Sequence, residues 1–80
     1  MTRIAVTIPS YKVRAQVLDV IARIPLQVQR IYVVDDKCPQ QSGLFVQQHC
    51  TDPRVRVIFH EENQGVGGAV RTGYRAALEE

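Results

Sequence analysis

Arg30-Ile31-Tyr32-Val33-Val34-Asp35-Asp36 is the stretch on which the fold turns. Its β-branched and aromatic run has no polar break before the acidic pair, which suits a short strand buried in a sheet. Upstream, Lys12 to Ile24 places Val13, Val17, Val20, Ile21 and Ile24 at helical spacing, with Pro25 closing the segment. Before that, Arg3-Ile-Ala-Val-Thr-Ile8 reads as another buried strand, stopped by Pro9. Downstream, a polar turn carries Pro39, and Ser42 is placed to cap a short helix over Gly43 to His49.

Asp52-Pro53 turns the chain into a third strand, Arg54-Val-Arg-Val-Ile-Phe59. Val55, Val57 and Phe59 fall on one side and Arg54 and Arg56 on the other, the pattern of a half-exposed strand at a sheet edge. A glycine-rich turn, Asn63-Gln-Gly-Val-Gly-Gly68, then leads into a helix from about Val66 onward, whose Ala69, Val70, Gly73, Tyr74 and Ala77 form a face for packing on a sheet. The order is β-α-β-α-β-α. It predicts an α/β domain with three layers: one half of a Rossmann-like, doubly wound fold, its strands parallel and ordered 3-2-1. The first two helices should cover one face and the last helix the other.

Composition bounds the function. The 80 residues allow a single small domain, residues 1–80, with a limited core. A net charge of +2 is too balanced to predict a nucleic-acid partner. Cys38 and Cys50 form neither a disulfide framework nor a set with zinc spacing, and they read as reduced thiols of a cytoplasmic protein. Apolar runs are too short to cross a bilayer, so the chain is expected in the cytoplasm or on the cytoplasmic face of a membrane.

Ligands of such sheets bind beyond the carboxyl ends of the strands, and a candidate cluster follows each strand. Pro9-Ser10-Tyr11 offers a rigid turn and an aromatic wall for a base or ribose; equally, it is a strand stop with Ser10 as a helix cap. Asp35-Asp36 offers acceptors for the imino or amino edge of a base and for a ribose, or one of the two caps the next turn. Gly65, Gly67 and Gly68 permit close backbone approach at a helix N-terminus that favours a diphosphate; alternatively they form a tight turn capped by Asn63.

Taken in order, Val6-Thr-Ile-Pro-Ser-Tyr11, Val33-Val-Asp-Asp36 and Asn63-Gln-Gly-Val-Gly-Gly-Ala-Val-Arg-Thr-Gly73 resemble the start of glycosyltransferase family 2, closest to its polyprenyl-phosphate (dolichol-phosphate) mannosyl- or glucosyltransferase branch. The resemblance implies a GT-A fold and transfer of a sugar from UDP- or GDP-sugar to a polyprenyl phosphate or glycan. It implies that Pro9, Ser10 and Tyr11 line the nucleoside pocket and that Asp35 and Asp36 contact base and ribose. The Gly65–Gly68 turn would flank the nucleotide, with Arg71 as a phosphate neighbour.

Two local departures stand out: Lys12-Val13 where the family carries Asn and an acid, and Lys37-Cys38-Pro39-Gln40 where it carries Gly-Ser-x-Asp. The family's Asp-x-Asp, which holds Mg²⁺ or Mn²⁺ on the diphosphate, would lie beyond Glu80. The chain is therefore expected to be the nucleotide-binding part of a truncated GT-A domain, with no catalytic residue, no metal of its own, weak nucleotide-sugar binding and no turnover. A dinucleotide-binding Rossmann domain is disfavoured, because the glycines follow the third strand and not the first. The rival from another class is a structural α/β fragment that forms a homodimer through its unpaired sheet edge or uncovered face.

Overall fold

The computed structural model describes residues 4–11, 14–37 and 39–79. The elements are β1 (Ala5–Ser10), α1 (Arg14–Ala22), β2 (Arg30–Asp35), α2 (Ser42–His49), β3 (Val55–Phe59) and α3 (Gly65–Glu79). All strands run parallel in one sheet ordered β1-β2-β3, the 3-2-1 order read from the other edge. Val6, Ile31 and Val55 are in register, as are Ile8, Val33 and Val57.

Strand alternation sends these residues to one face, where they meet Val17 and Ile21 of α1 and Val46 of α2 in the main core. The other face carries Thr7, Tyr32 and Val34, and α3 packs there against β1 and β2. The central strand is enclosed on both sides: Ile31, Tyr32, Val33 and Val34 are each at most 2% exposed. The continuous apolar run from Ile31 to Val34 is thus the signature of the strand flanked by two others.

Several local expectations are corrected. β1 does not stop at Ile8 but continues through Pro9 to Ser10. The carbonyls of Ile4 and Ser10 accept the N–H groups of Gln29 and Asp36 at 2.8 and 3.2 Å, so even-numbered β1 residues turn their polar backbone toward β2. Pro9 is odd-numbered, and its missing N–H falls on the open edge, where a proline removes no ladder bond. The helix α1 buries Val17 and Ile21 and packs Leu18 on the core, whereas Val20 is exposed. Residues 12 and 13, where the helix was expected to start, lie outside the described residues, as does Cys38. Cys50 is half-buried and free.

Ser42 does not cap α2; it is the first helical residue and is fully buried. Gln41 precedes it in the left-handed region, φ 54°, without a side-chain cap. In α3 the packing face is Ala69 and Gly73, with Thr72, Ala76 and Ala77 half-buried around them, and Val70 and Tyr74 are exposed instead. A Cβ at Gly73 would overlap the side chain of Thr7. Only glycine lets α3 lie this close to β1.

Arg54 is not a solvent-facing strand residue. Its guanidinium donates to the carbonyls of Pro25 and Val28 at 2.7 and 2.9 Å and grips the Asp52 carboxylate through Nε and Nη2. This fork ties the α1–β2 connection to the start of β3, a geometry a lysine cannot reproduce. Arg54→Lys is expected to lower the urea midpoint and speed amide exchange at Val28 and Val55, with exchange in the centre of β2 little changed.

Candidate functional site

The site is built where the three strands end. Asp36 N–H donates to the Ser10 carbonyl at 3.2 Å, and His60 N–H donates to the Asp35 carbonyl at 2.9 Å. The tips of β1, β2 and β3 are thereby stitched into one rim. Tyr11 follows on this rim and is 43% exposed.

The acidic pair is divided by the sheet. Successive strand residues point to opposite faces, so Asp35 turns toward α2 and Asp36 toward α3. Asp35 Oδ2 accepts the Gly43 N–H at 2.8 Å, in the first turn of α2. Asp36 Oδ1 accepts the Gln64 N–H at 2.7 Å and Oδ2 accepts the Gly65 N–H at 2.8 Å, at the start of α3. Each carboxylate thus satisfies backbone donors that a helix N-terminus leaves unpaired, where negative charge is also favoured by the helix dipole. Both aspartates are buried. The mutual repulsion expected of neighbouring acids is relieved, because each faces a different helix.

A histidine not singled out by its sequence context completes the arrangement. The His60 ring lies with Nδ1 2.8 Å from Asp36 Oδ1 and Nε2 2.7 Å from Thr72 Oγ1. The Gly68 carbonyl, 3.0 Å from Thr72 Oγ1, is a second acceptor within reach of that hydroxyl. The one available signal was parity: His60 directly follows β3 and so falls on the α3 face, like Asp36. Asn63 adds a clasp, its Nδ2 donating to the Asp36 carbonyl at 3.2 Å and its Oδ1 accepting the Gly65 N–H at 3.1 Å.

Burial pushes the Asp36 carboxyl upward, but the Gln64 N–H, the His60 ring and the Gly65 N–H together outweigh it, and its pKa falls below the ordinary 3.8. A carboxyl whose pKa is lower folded than unfolded contributes stability above its unfolded value and loses it as pH falls through the folded one. Asp52, held down chiefly by the Arg54 side chain, has the same sign. Urea midpoints should therefore fall as the pH drops below about 4. That acid dependence should be shallower in Asp36→Asn.

The remaining candidates take distinct places. Pro9 lies half-buried in β1, and Ser10 is fully enclosed, its Oγ 3.4 Å from the Ile8 carbonyl. Gly65 opens α3 at φ 77°, a conformation costly for other residues. Gly67 and Arg71 are exposed and Gly68 is half-buried, all within the first two turns of α3. On the α2 side of the rim, a cleft of about 290 Å³ is lined by Asp35, Lys37, Gln41, Leu44, Phe59 and His60. Lys37 holds the left-handed region at φ 54°, so the turn after the acidic pair is built without the glycine expected there.

Among the described residues, no group of three or more His, Cys, Asp or Glu side chains is placed to hold a metal ion. Asp35 and Asp36 diverge, and the Asp36 oxygens are already engaged, so the pair does not fit a divalent cation. Among the same residues, no helix is long and apolar enough to cross a membrane.

Compared with known proteins, residues 5–80 match the family model described as Glycosyl transferase family 2. No curated protein matches the chain.

Proposed function

The chain belongs to glycosyltransferase family 2, and from that premise we propose that it provides the donor-binding surface for a UDP- or GDP-sugar whose hexose passes to a polyprenyl phosphate or a glycan. The observation that carries this reading is the joining of three strand ends and a glycine-opened helix N-terminus in one rim. In this reading Tyr11 is the aromatic wall for the nucleoside, with Pro9 and Ser10 setting its position. The turn of Gly65, Gly67 and Gly68 runs beside the diphosphate, and Arg71 supplies a cation to it. Asp35 and Asp36 shape the pocket by fixing α2 and α3, and the atoms of the Asp36 backbone border the base. Mg²⁺ or Mn²⁺ is assigned to none of these residues, and no chemical step is assigned to them.

Titrating the ¹⁵N-labelled chain with UDP and with GDP, each with and without Mn²⁺, tests the reading. Amide shifts should concentrate at Tyr11, Asp36, Gly65 and Gly67, with weak affinity and little dependence on the metal. Shifts confined to the opposite end of the sheet, or none up to millimolar nucleotide, would remove it.

A second reading, self-association, is favoured by a separate observation. Val66, Val70, Tyr74 and Leu78 recur every four residues along α3 and are 70, 47, 66 and 70% exposed. Thr72 faces His60 on one flank of the buried Ala69–Gly73 line, so this apolar stripe lies on the other flank, outboard of the open β1 edge. An apolar stripe beside an unpaired strand suits association with a second copy. Sedimentation of the wild type against Tyr74→Glu should then show a dimer in the first and a monomer in the second.

A further inference from the structure

We infer that His60 is a positioning residue for nucleotide binding, a role that rests on the donor-binding reading above. Its ring bonds both to the Asp36 carboxylate and to the body of α3. Asp36 in turn holds the Gln64 and Gly65 N–H groups, so a continuous path runs from Thr72 through the imidazole and the carboxylate to the turn that opens α3.

The geometry explains why an imidazole is used. The side chain is 5% exposed and must satisfy two partners on opposite sides of one buried slot. Nδ1 carries a hydrogen toward the carboxylate, which leaves Nε2 to accept the one hydrogen of the Thr72 hydroxyl in competition with the Gly68 carbonyl. An aliphatic side chain would fill the volume but leave the Asp36 Oδ1 and the Thr72 hydroxyl without this link. The consequence is an α3 N-terminus fixed at both its first turn and its second, so that the turn through Gln64 and Gly65 is held against the rim in one orientation. Groups held in their binding orientation before the ligand arrives lower the ordering cost of binding.

Thr72→Val tests the path without touching His60, Asp36 or the glycine turn. It removes one hydroxyl at nearly constant volume. Amide exchange at Gln64 and Gly65, neither of which bonds to Thr72, should accelerate about fivefold, the effect of one hydrogen bond. His60→Leu should produce the same acceleration, and His60→Asn, which keeps a donor near the Nδ1 position, should recover part of the loss. In the wild type, long-range ¹⁵N spectra should show a hydrogen on Nδ1.

UDP and GDP titrations of the same variants separate the two claims. Wild-type binding with a several-fold loss in Thr72→Val and His60→Leu supports positioning. Wild-type binding that Thr72→Val leaves unchanged, with Gln64 and Gly65 exchanging as before, overturns it and leaves the donor-binding reading standing. If the wild type binds neither nucleotide, the donor-binding reading fails and the positioning role for nucleotide fails with it. The exchange data would then bear only on the path through the ring.

Discussion

Replacing Gly73 by leucine is expected to cost about 3 kcal/mol of folding stability, at the upper end of what an overpacked site loses. The total available to a chain of this length is about 4–12 kcal/mol, so the variant should lie near the edge of folding. A Cβ at this position already overlaps Cγ2 and Oγ1 of Thr7 and comes within 2.9 Å of its Cβ. Thr7 sits in β1 and is β-branched, so its side chain has few rotamers in which to retreat. α3 must lift away from the sheet instead. Gly73→Ala is the finer probe: the helix gains about 1 kcal/mol from alanine, yet the clash should leave a net loss. Combining it with Thr7→Ala removes the two clashing atoms and should recover much of that loss. Urea denaturation of the single and double variants reads this coupling directly; additive losses would mean that α3 does not rest on Thr7.

Asp36→Ala is expected to cost about 2–4 kcal/mol, comparable to losing a strong helix cap together with a buried charged acceptor. The Gln64 and Gly65 N–H groups and the His60 ring would all lose their acceptor at once. Asp36→Asn keeps the shape and one acceptor oxygen, and its loss should be about half as large. Asp35→Asn should likewise cost less than Asp36→Ala, because the Gly43 N–H can be met by an amide carbonyl. An Asp36→Asn loss as large as that of Asp36→Ala would contradict the acceptor role of the Asp36 carboxylate. Thermal or urea unfolding of the three variants at neutral pH gives the comparison.

Much of the fold was legible because periodicity and punctuation agreed. The run from Ile31 to Val34, the helical spacing of Val17 and Ile21, and the alternation of Val55 and Val57 each identified an element that forms, although α1 ends at Ala22, before Ile24. The rim was legible too, since parallel strands bring Ser10, the acidic pair and the glycine turn to the same end. The misreadings share a cause. Pro9 looked like a stop because the sequence does not say which backbone groups of β1 face a partner. Ser42 looked like a cap because its residue type suits one, although a carboxylate from another strand reaches that helix. Val70 and Tyr74 looked buried because a helical face can be counted from sequence, whereas the angle at which it meets the sheet cannot.

The amino-acid order by itself determined the alternating elements, their parallel arrangement and the family, because those depend on residue patterns within short windows and on where the motifs fall between them. Only the tertiary structure decided what the chemistry-bearing side chains touch. Asp35 and Asp36 are neighbours in the chain but serve opposite faces of the sheet, while His60 and Thr72, distant from Asp36 in the chain, meet it or its partner through hydrogen bonds under 3 Å. Alternation along a strand separates adjacent residues, and the close packing of α3 on β1 and β2 brings remote ones together.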